Sequence, residues 1–187
     1  TILSAPMQPQ PAPPSLPPAL AEKQERLRAL VRGYGSAVVC FSGGVDSTLL
    51  LRVAHDVLGD RCRGLTTVSV PMAASERRAA VELAAQIGVR LEIVQSNELE
   101  RPGFAENPTN RCYHCKAELL EIAAPRAREL GLAEVLLGTN LDDLGDHRPG
   151  LAAADERGAR HPMVEVGLTK PEVRALSRAL GLSTWDK

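Results

Sequence analysis

The chain has 187 residues, with 22 lysines and arginines against 23 aspartates and glutamates. This length suits one domain plus a tail. The balanced charge argues against a broad basic face for nucleic acid, and the aromatic content of 3% argues against a platform for stacked bases. No run of about 18 apolar residues occurs, so the sequence predicts no transmembrane segment.

The N-terminal stretch is rich in proline, with seven prolines among residues 1–18. Proline lacks the N–H donor and fixes φ, so this stretch is predicted to be a disordered or extended tail. Residues 19–187 are predicted to form the domain. The tail does not have the charged region followed by an apolar region that marks a secretory signal.

Four cysteines are present, at Cys40, Cys62, Cys112 and Cys115. Without an export signal, reduced thiols are the expectation, and the predicted compartment is the cytoplasm.

Hydrophobic periodicity predicts alternating helices and strands. The predicted helices cover residues 20–32, the segment from the turn at 42–48 to residue 58, and residues 73–87, 112–130, 151–156 and 170–180. The predicted strands cover 37–41, 63–70, 89–94, 133–137 and 163–166. Residues 95–111 show no period, and Pro125 is expected to kink or split its helix.

This alternation predicts an α/β domain: a doubly wound parallel sheet of about five strands with helices on both faces. In such sheets ligands bind beyond the carboxyl ends of the strands. The loops at 42–48, 70–75 and 138–146 are all expected at that edge, which makes a shared site there the leading hypothesis.

The loop Ser42-Gly43-Gly44-Val45-Asp46-Ser47-Thr48 follows a predicted buried strand and opens a helix. The two glycines let backbone N–H groups approach an anion, and the helix adds its positive N-terminal end. The hydroxyl groups of Ser42, Ser47 and Thr48 are further donors. A polyphosphate is the predicted ligand.

The sequence of this loop excludes two other kinds of phosphate loop. A Walker A loop needs a lysine after its last glycine, and a dinucleotide-binding loop needs the pattern Gly-x-Gly-x-x-Gly; both are absent here.

Residues 42–47 resemble the pyrophosphate-binding loop of the ATP pyrophosphatase (PP-loop) superfamily, whose fold is of the adenine nucleotide alpha hydrolase type. Its members cleave ATP between the α and β phosphates and leave AMP on a substrate oxygen. The resemblance implies ATP and magnesium as ligands. It also implies nucleotide contacts from Val45 and from Val68, Ser69, Gly138, Thr139 and Asn140 at the ends of strands. Asp46 has two open interpretations, as a catalytic residue that holds metal or as a first-turn carboxylate of the helix.

Further segments resemble the LarE family of ATP-dependent sulfur transferases, over roughly residues 20–187. They are Asn110-Arg111-Cys112-Tyr113-His114-Cys115-Lys116, residues 138–143, residues 146–150, residues 167–174 and the closing Leu180–Lys187. The resemblance implies that a carboxylate of pyridinium-3,5-biscarboxylic acid mononucleotide is adenylated and that sulfur then replaces AMP. It also implies a homo-oligomer and a small-molecule nucleotide substrate, with no nucleic-acid partner.

The sulfur donor of this family is either a sacrificed cysteine or an iron–sulfur cluster on three cysteines. The family pattern continues past Trp185-Asp186-Lys187 into a stretch with a cysteine, which this sequence does not contain. Cys112 and Cys115 keep three interpretations: packing and helix capping, a redox or ligand role, and sulfur donation.

Arg111, Lys116 and Arg148 are candidate contacts for phosphate or carboxylate, or else ordinary surface charges. Asp142 is a weak candidate magnesium ligand, or else a loop-capping group. The four histidines show no metal spacing and are expected to be structural. Two rival functions stay open: another adenylating enzyme, such as a tRNA thiolase or an amide-forming synthetase, and a sensor that binds ATP or AMP without cleaving it.

Overall fold

The structure is a computed structural model that describes residues 15–68, 74–96, 111–144 and 158–187; for residues 111–116 it describes the backbone only. Short 3-10 turns lie at Gly59–Arg61 and Leu141–Leu144. The helices are α1 (Pro18–Tyr34), α2 (Val45–Leu58), α3 (Ala74–Ile87), α4 (Arg111–Glu129), α5 (Pro162–Glu165) and α6 (Lys170–Ala179). The strands are β1 (Ala37–Cys40), β2 (Cys62–Val68), β3 (Arg90–Gln95) and β4 (Glu134–Leu136).

The described strands form one parallel sheet in the order β3-β2-β1-β4. All four residues of β1 are buried, as expected of a central strand covered on both faces. The chain adds β2 and β3 on one side of β1 and then returns to add β4 on the other. The strand order therefore reverses between β1 and β4, where α/β sheets open a crevice for ligands.

Two hydrophobic clusters cover the faces of the sheet and confirm the prediction of helices on both sides. Val39 of β1 packs in the larger cluster, together with residues of α1, α2, α3, α5 and α6. Val38, its neighbour, faces the other way into a cluster that contains Leu120 and Ala123 of α4. Adjacent strand residues point to opposite faces, so a short apolar strand supplies both cores.

One predicted strand is wrong. Residues 163–166 lie in and just after α5, because Pro162 occupies the first helical position, where its fixed φ suits a helix and its missing N–H costs nothing. Arg160, which lies two residues before α5, instead forms an isolated parallel β-bridge to Leu136, the last residue of β4. The described part of the sheet accordingly has four strands rather than about five.

The other element boundaries agree within a few residues. Pro125, which was expected to kink or split its helix, lies inside α4 and does not split it. A proline removes one helical N–H donor, and here the turns on both sides remain helical. The tail was predicted to reach residue 18, but α1 begins at Pro18 and Leu16 packs against the core.

The predicted helix at 151–156 lies outside the described residues, as do residues 1–14 of the tail. Among the described helices, none is both long enough and apolar enough to cross a bilayer. Cys40 lies in β1 and Cys62 begins β2, and both are buried. Burial raises the pKa of the Cys62 thiol to about 12, so this group stays protonated at neutral pH.

Candidate nucleotide-binding site

A cavity of about 320 Å³ opens where the strand order reverses. The phosphate loop, the ends of β1 and β2, the loop after β4 and one residue of α4 line it: Cys40, Phe41, Ser42, Gly44, Asp46, Ser47, Thr66, Thr67, Leu119, Leu137 and Gly138. Apolar side chains from α4 and from the residues just after β1 and β4 thus face hydroxyl groups and loop backbone, a combination typical of nucleotide pockets.

The loop between β1 and α2 has the geometry of an anion-binding turn. Gly43 has φ of +81°, which L side chains rarely adopt, and Gly44 is the extended residue just before the helix. The N-terminus of α2, with its unpaired N–H groups and positive dipole end, therefore faces the cavity. This arrangement agrees with the phosphate ligand predicted from the sequence.

Hydroxyl groups hold this loop in shape. The Ser42 N–H donates to Ser47 Oγ at 3.2 Å, and the two serine hydroxyls are 3.1 Å apart. The buried Thr48 hydroxyl donates to the Gly44 carbonyl at 2.6 Å. The buried Ser47 and Thr48 therefore stabilise the loop through their hydroxyl groups, and Ser42 is exposed and lines the cavity.

Gly138 brings the loop after β4 against the phosphate loop. A Cβ atom at this position would lie 2.8 Å from both Cα and N of Ser47 and 3.0 Å from the carbonyl carbon of Asp46. Real Cβ atoms do not approach backbone this closely, so only glycine permits this contact. The predicted nucleotide residues at 42–48 and at 138–140 are thereby brought together.

Asp46 is held between two side chains from distant parts of the chain. Asn140 Nδ2 donates to Asp46 Oδ1 at 2.9 Å, and the Lys170 ammonium forms an ion pair with Asp46 Oδ2. Lys170 was not predicted as a site residue, although residues 167–174 were noted as a segment that resembles the LarE family. One sequence signal for such a residue was available: the predicted phosphate loop at residues 42–48 contains no lysine, so a cation from elsewhere in the chain could be expected beside it.

The loop after β4 is ordered by its own polar side chains. The Asn140 N–H donates to Asp143 Oδ2 at 3.0 Å, and the Asp142 N–H donates to Asn140 Oδ1 at 2.9 Å. Asp142 Oδ2 in turn accepts the Lys170 N–H at 2.7 Å. These bonds tie the loop to the N-terminus of α6 and aim the Asn140 amide at Asp46.

Magnesium was expected at Asp46 and Asp142. Mg²⁺ prefers several oxygens in octahedral geometry and is commonly held by one or two carboxylates plus substrate phosphates. In the described parts of the chain, no group of three or more His, Cys, Asp or Glu side chains is placed to hold a metal ion. Among the described residues, the groups that contact Asp46 are an ammonium and an amide N–H, neither of which is a magnesium ligand.

The start of α6 is fixed by a capping box. Thr169 is the N-cap, and its side chain and that of Glu172 each bind the other residue's N–H. Lys23 of α1 contacts Glu172 at 2.9 Å and the Gly167 carbonyl at 2.8 Å. Burial alone would raise the pKa of Glu172, but hydrogen bonds from Thr169 and Lys23 leave it below its usual value.

The structure describes some of the remaining predicted site residues and not others. Thr139 is buried, and its hydroxyl lies 3.1 Å from Nδ1 of His161. Val68 ends β2, but Thr66 and Thr67 of that strand, which the sequence reasoning did not select, line the cavity. Ser69 and Arg148 lie outside the described residues.

The segment with the paired cysteines begins α4 at Arg111, so Cys112, Cys115 and Lys116 lie in its first turns. Only their backbone is described. A helix that follows β3 in a parallel sheet starts at the carboxyl edge, and Leu119, a turn further on, lines the cavity. Their chemical roles stay predictions.

Comparison with known proteins agrees with this geometry. The family model described as asparagine synthase matches residues 24–106. An uncharacterized protein of Synechocystis sp. is 46% identical over 90% of this chain and 63% of its own length. A pyridinium-3,5-bisthiocarboxylic acid mononucleotide synthase of Lactiplantibacillus plantarum is 35% identical over 90% of this chain. The chain spans 61% of that protein.

Solved structures agree on the fold. An NMN synthetase from Francisella tularensis superposes with a TM-score of 0.72 at 16% identity, covering 90% of this chain and 74% of the other. An ammonia-dependent NAD synthetase from Campylobacter jejuni gives 0.69 at 17% identity, covering 88% and 74%. These two structures show the fold alone. The sequence similarities confirm the resemblance to the LarE family over nine tenths of this chain.

Proposed function

We propose that this protein uses ATP to adenylate a carboxylate of pyridinium-3,5-biscarboxylic acid mononucleotide and then exchanges AMP for sulfur. In the first step a carboxylate oxygen attacks the α phosphorus, the bond from that phosphorus to the bridging oxygen breaks, and pyrophosphate leaves. In the second step a sulfur nucleophile attacks the carbonyl carbon and AMP leaves. If the nucleophile is a cysteine thiolate, the product is a thioester; loss of the cysteine α proton then breaks its Cβ–S bond, which releases the thiocarboxylate and leaves dehydroalanine.

The observation that carries this proposal is the phosphate loop with Lys170 beside it. The loop supplies backbone donors at the N-terminus of α2, and the Lys170 ammonium reaches its first turn through Asp46. These groups are proposed to face the β and γ phosphates of a nucleotide in the cavity, where negative charge develops as pyrophosphate departs. Fixed donors and cations at such a position stabilise the transition state.

The substrate is proposed from the relative in Lactiplantibacillus plantarum, which is similar over nine tenths of this chain. The nucleotide is proposed to lie along the apolar wall formed by Phe41, Leu119 and Leu137. Arg111, Lys116 and Arg148 are proposed to contact the phosphate or carboxylates of the substrate. Cys112 and Cys115 are proposed for a redox or ligand role.

Magnesium is proposed to enter with the phosphates of ATP, because the described groups that contact Asp46 are an ammonium and an amide N–H. The sulfur donor is proposed to be either a sacrificed cysteine or an iron–sulfur cluster of the whole protein. A homo-oligomer in the cytoplasm is the proposed setting.

The test measures pyrophosphate and AMP release from ATP by the purified protein, with and without the pyridinium dicarboxylate nucleotide. The proposal expects both products only when the dicarboxylate is present, together with a thiocarboxylate in the product mixture. Tight ATP binding with no pyrophosphate release would favour a sensor, and release triggered by tRNA would favour a thiolase.

The sulfur source is tested by mass spectrometry of the protein after one turnover. A sacrificed cysteine predicts a protein lighter by one hydrogen sulfide, with dehydroalanine at the donor position. An unchanged protein mass together with bound iron predicts the cluster route. A thiocarboxylate formed with neither signature would contradict both proposed donors.

A further inference from the structure

We infer that Asp142 is a positioning residue that fixes Lys170 at the phosphate loop and is not a metal ligand. The inference deepens the proposed function, because it assumes that ATP binds at this loop. It concerns how a lysine from the C-terminal helix is held against a loop 124 residues earlier in the chain.

The first support is the way Lys170 is held at both ends. Its backbone N–H donates to Asp142 Oδ2 at 2.7 Å, and its ammonium pairs with Asp46 Oδ2. Lys170 is the first residue of α6, so its N–H has no partner within the helix. A carboxylate at this position satisfies the N–H and complements the positive end of the helix dipole.

The second support is that Asp142 also holds the other partner of Asp46. Its backbone N–H donates to Asn140 Oδ1 at 2.9 Å, which leaves Asn140 Nδ2 aimed at Asp46 Oδ1. One residue therefore contacts both groups that bind the Asp46 carboxylate. The adjacent Leu141 N–H donates to the Leu168 carbonyl at 2.8 Å, which further joins this turn to the segment before α6.

The third support comes from what surrounds the carboxylates. A magnesium site built on both carboxylates would need Asp46 and Asp142 to converge on one cation. Instead they contact opposite ends of Lys170, and an ammonium already lies against Asp46. The geometry thus assigns Asp142 to the start of α6.

The experiment is a double-mutant cycle on the purified protein, with ATP affinity measured by calorimetry over a range of magnesium concentrations. Asp142→Ala is expected to weaken ATP binding about fivefold, with the same magnesium concentration at half saturation. In a Lys170→Met background the same change is expected to have less than about a twofold effect, because residues that act through one another are not additive. Asp60→Ala, an exposed acid before β2, is the control and should match wild type.

Asp142→Asn separates the two roles, since its amide oxygen still accepts the Lys170 N–H. It is expected to bind ATP within about twofold of wild type. Equal losses in the asparagine and alanine variants, with more magnesium needed for both, would show a metal ligand and overturn the inference. Additive losses in the double mutant would overturn it as well.

Amide hydrogen exchange at Lys170 gives a readout that needs no ATP. Exchange should accelerate in Asp142→Ala and stay near the wild-type rate in Asp142→Asn. If wild type binds no ATP, the proposed function fails, and this exchange measurement still decides the contact. If wild type binds ATP and the Lys170 amide exchanges equally in all variants, the inference alone fails.

Discussion

Lys170 forms an ion pair with Asp46, the aspartate of the phosphate loop, across 124 residues of sequence. The lysine side chain is about one third exposed and the carboxylate about one fifth. The pair is therefore partly open to solvent, and Asp46 lines the cavity. A cation that the loop sequence lacks is supplied by the helix that follows the sheet.

Replacing Lys170 with methionine keeps most of the side-chain volume and removes the charge. We expect pyrophosphate release to fall by about 10- to 100-fold, since a fixed cation at the departing phosphates is lost. The measurement is the steady-state rate of pyrophosphate release at saturating ATP. Arg174→Met, an exposed cation on the same helix, is the control, and an equal loss in both variants would contradict a specific role for Lys170.

Gly138→Ala tests the close approach of the two loops. The added Cβ would meet the backbone of Ser47 at 2.8 Å, and backbone cannot move aside as a side-chain end can. We expect a loss of stability of about 1–3 kcal/mol and weaker ATP binding, measured by thermal unfolding and calorimetry. Gly33→Ala in α1, where nothing lies within 4 Å, should be neutral or stabilising. A stable Gly138→Ala variant with normal ATP affinity would show that the loops are not packed this closely.

Ser47→Ala removes the hydroxyl that binds both the N–H and the hydroxyl of Ser42. We expect a loss of about 1 kcal/mol in stability and a further loss of ATP affinity, because the loop is no longer held in its anion-binding shape. Urea unfolding with and without ATP separates the two effects. Ser177→Ala is the matched control, since the Ser177 hydroxyl is buried without a hydrogen-bond partner in the described structure. A smaller ATP-induced stabilisation in the Ser177 variant than in the Ser47 variant would count against this assignment.

The pKa of Glu172 makes a pH prediction. Because its pKa in the folded state is lowered, its contribution to stability is present above the unfolded value of about 4.3 and is lost as pH falls through the folded value. We expect Glu172→Gln to be less stable than wild type at pH 7, with the difference shrinking toward pH 3. Urea unfolding across this range measures it. Glu129→Gln, an exposed acid at the end of α4, serves as control, and a difference that grows on acidification would reverse the sign of the argument.

The sequence by itself determined the strands β1 to β4, the helices around them and the phosphate loop. Each depends on local physics: an apolar run such as Ala37–Cys40 is buried wherever it folds, and Gly43 and Gly44 suit an anion-binding turn. The capping box at Thr169 and Glu172 is equally local. The wrong prediction of a strand at residues 163–166 also has a local cause. A short run of this kind does not distinguish a strand from a helical turn that begins at Pro162.

The tertiary structure alone decided which distant groups meet at the site. Lys170 reaches Asp46 because α6 packs beside α2 on one face of the sheet, and Asn140 reaches it because Gly138 allows β4's loop to touch the phosphate loop. No spacing in the sequence encodes such contacts, because they depend on how strands far apart in the chain are ordered in the sheet. The loop could be predicted as a phosphate site from seven residues, but its contact with Lys170 depends on the packing of α6 beside α2.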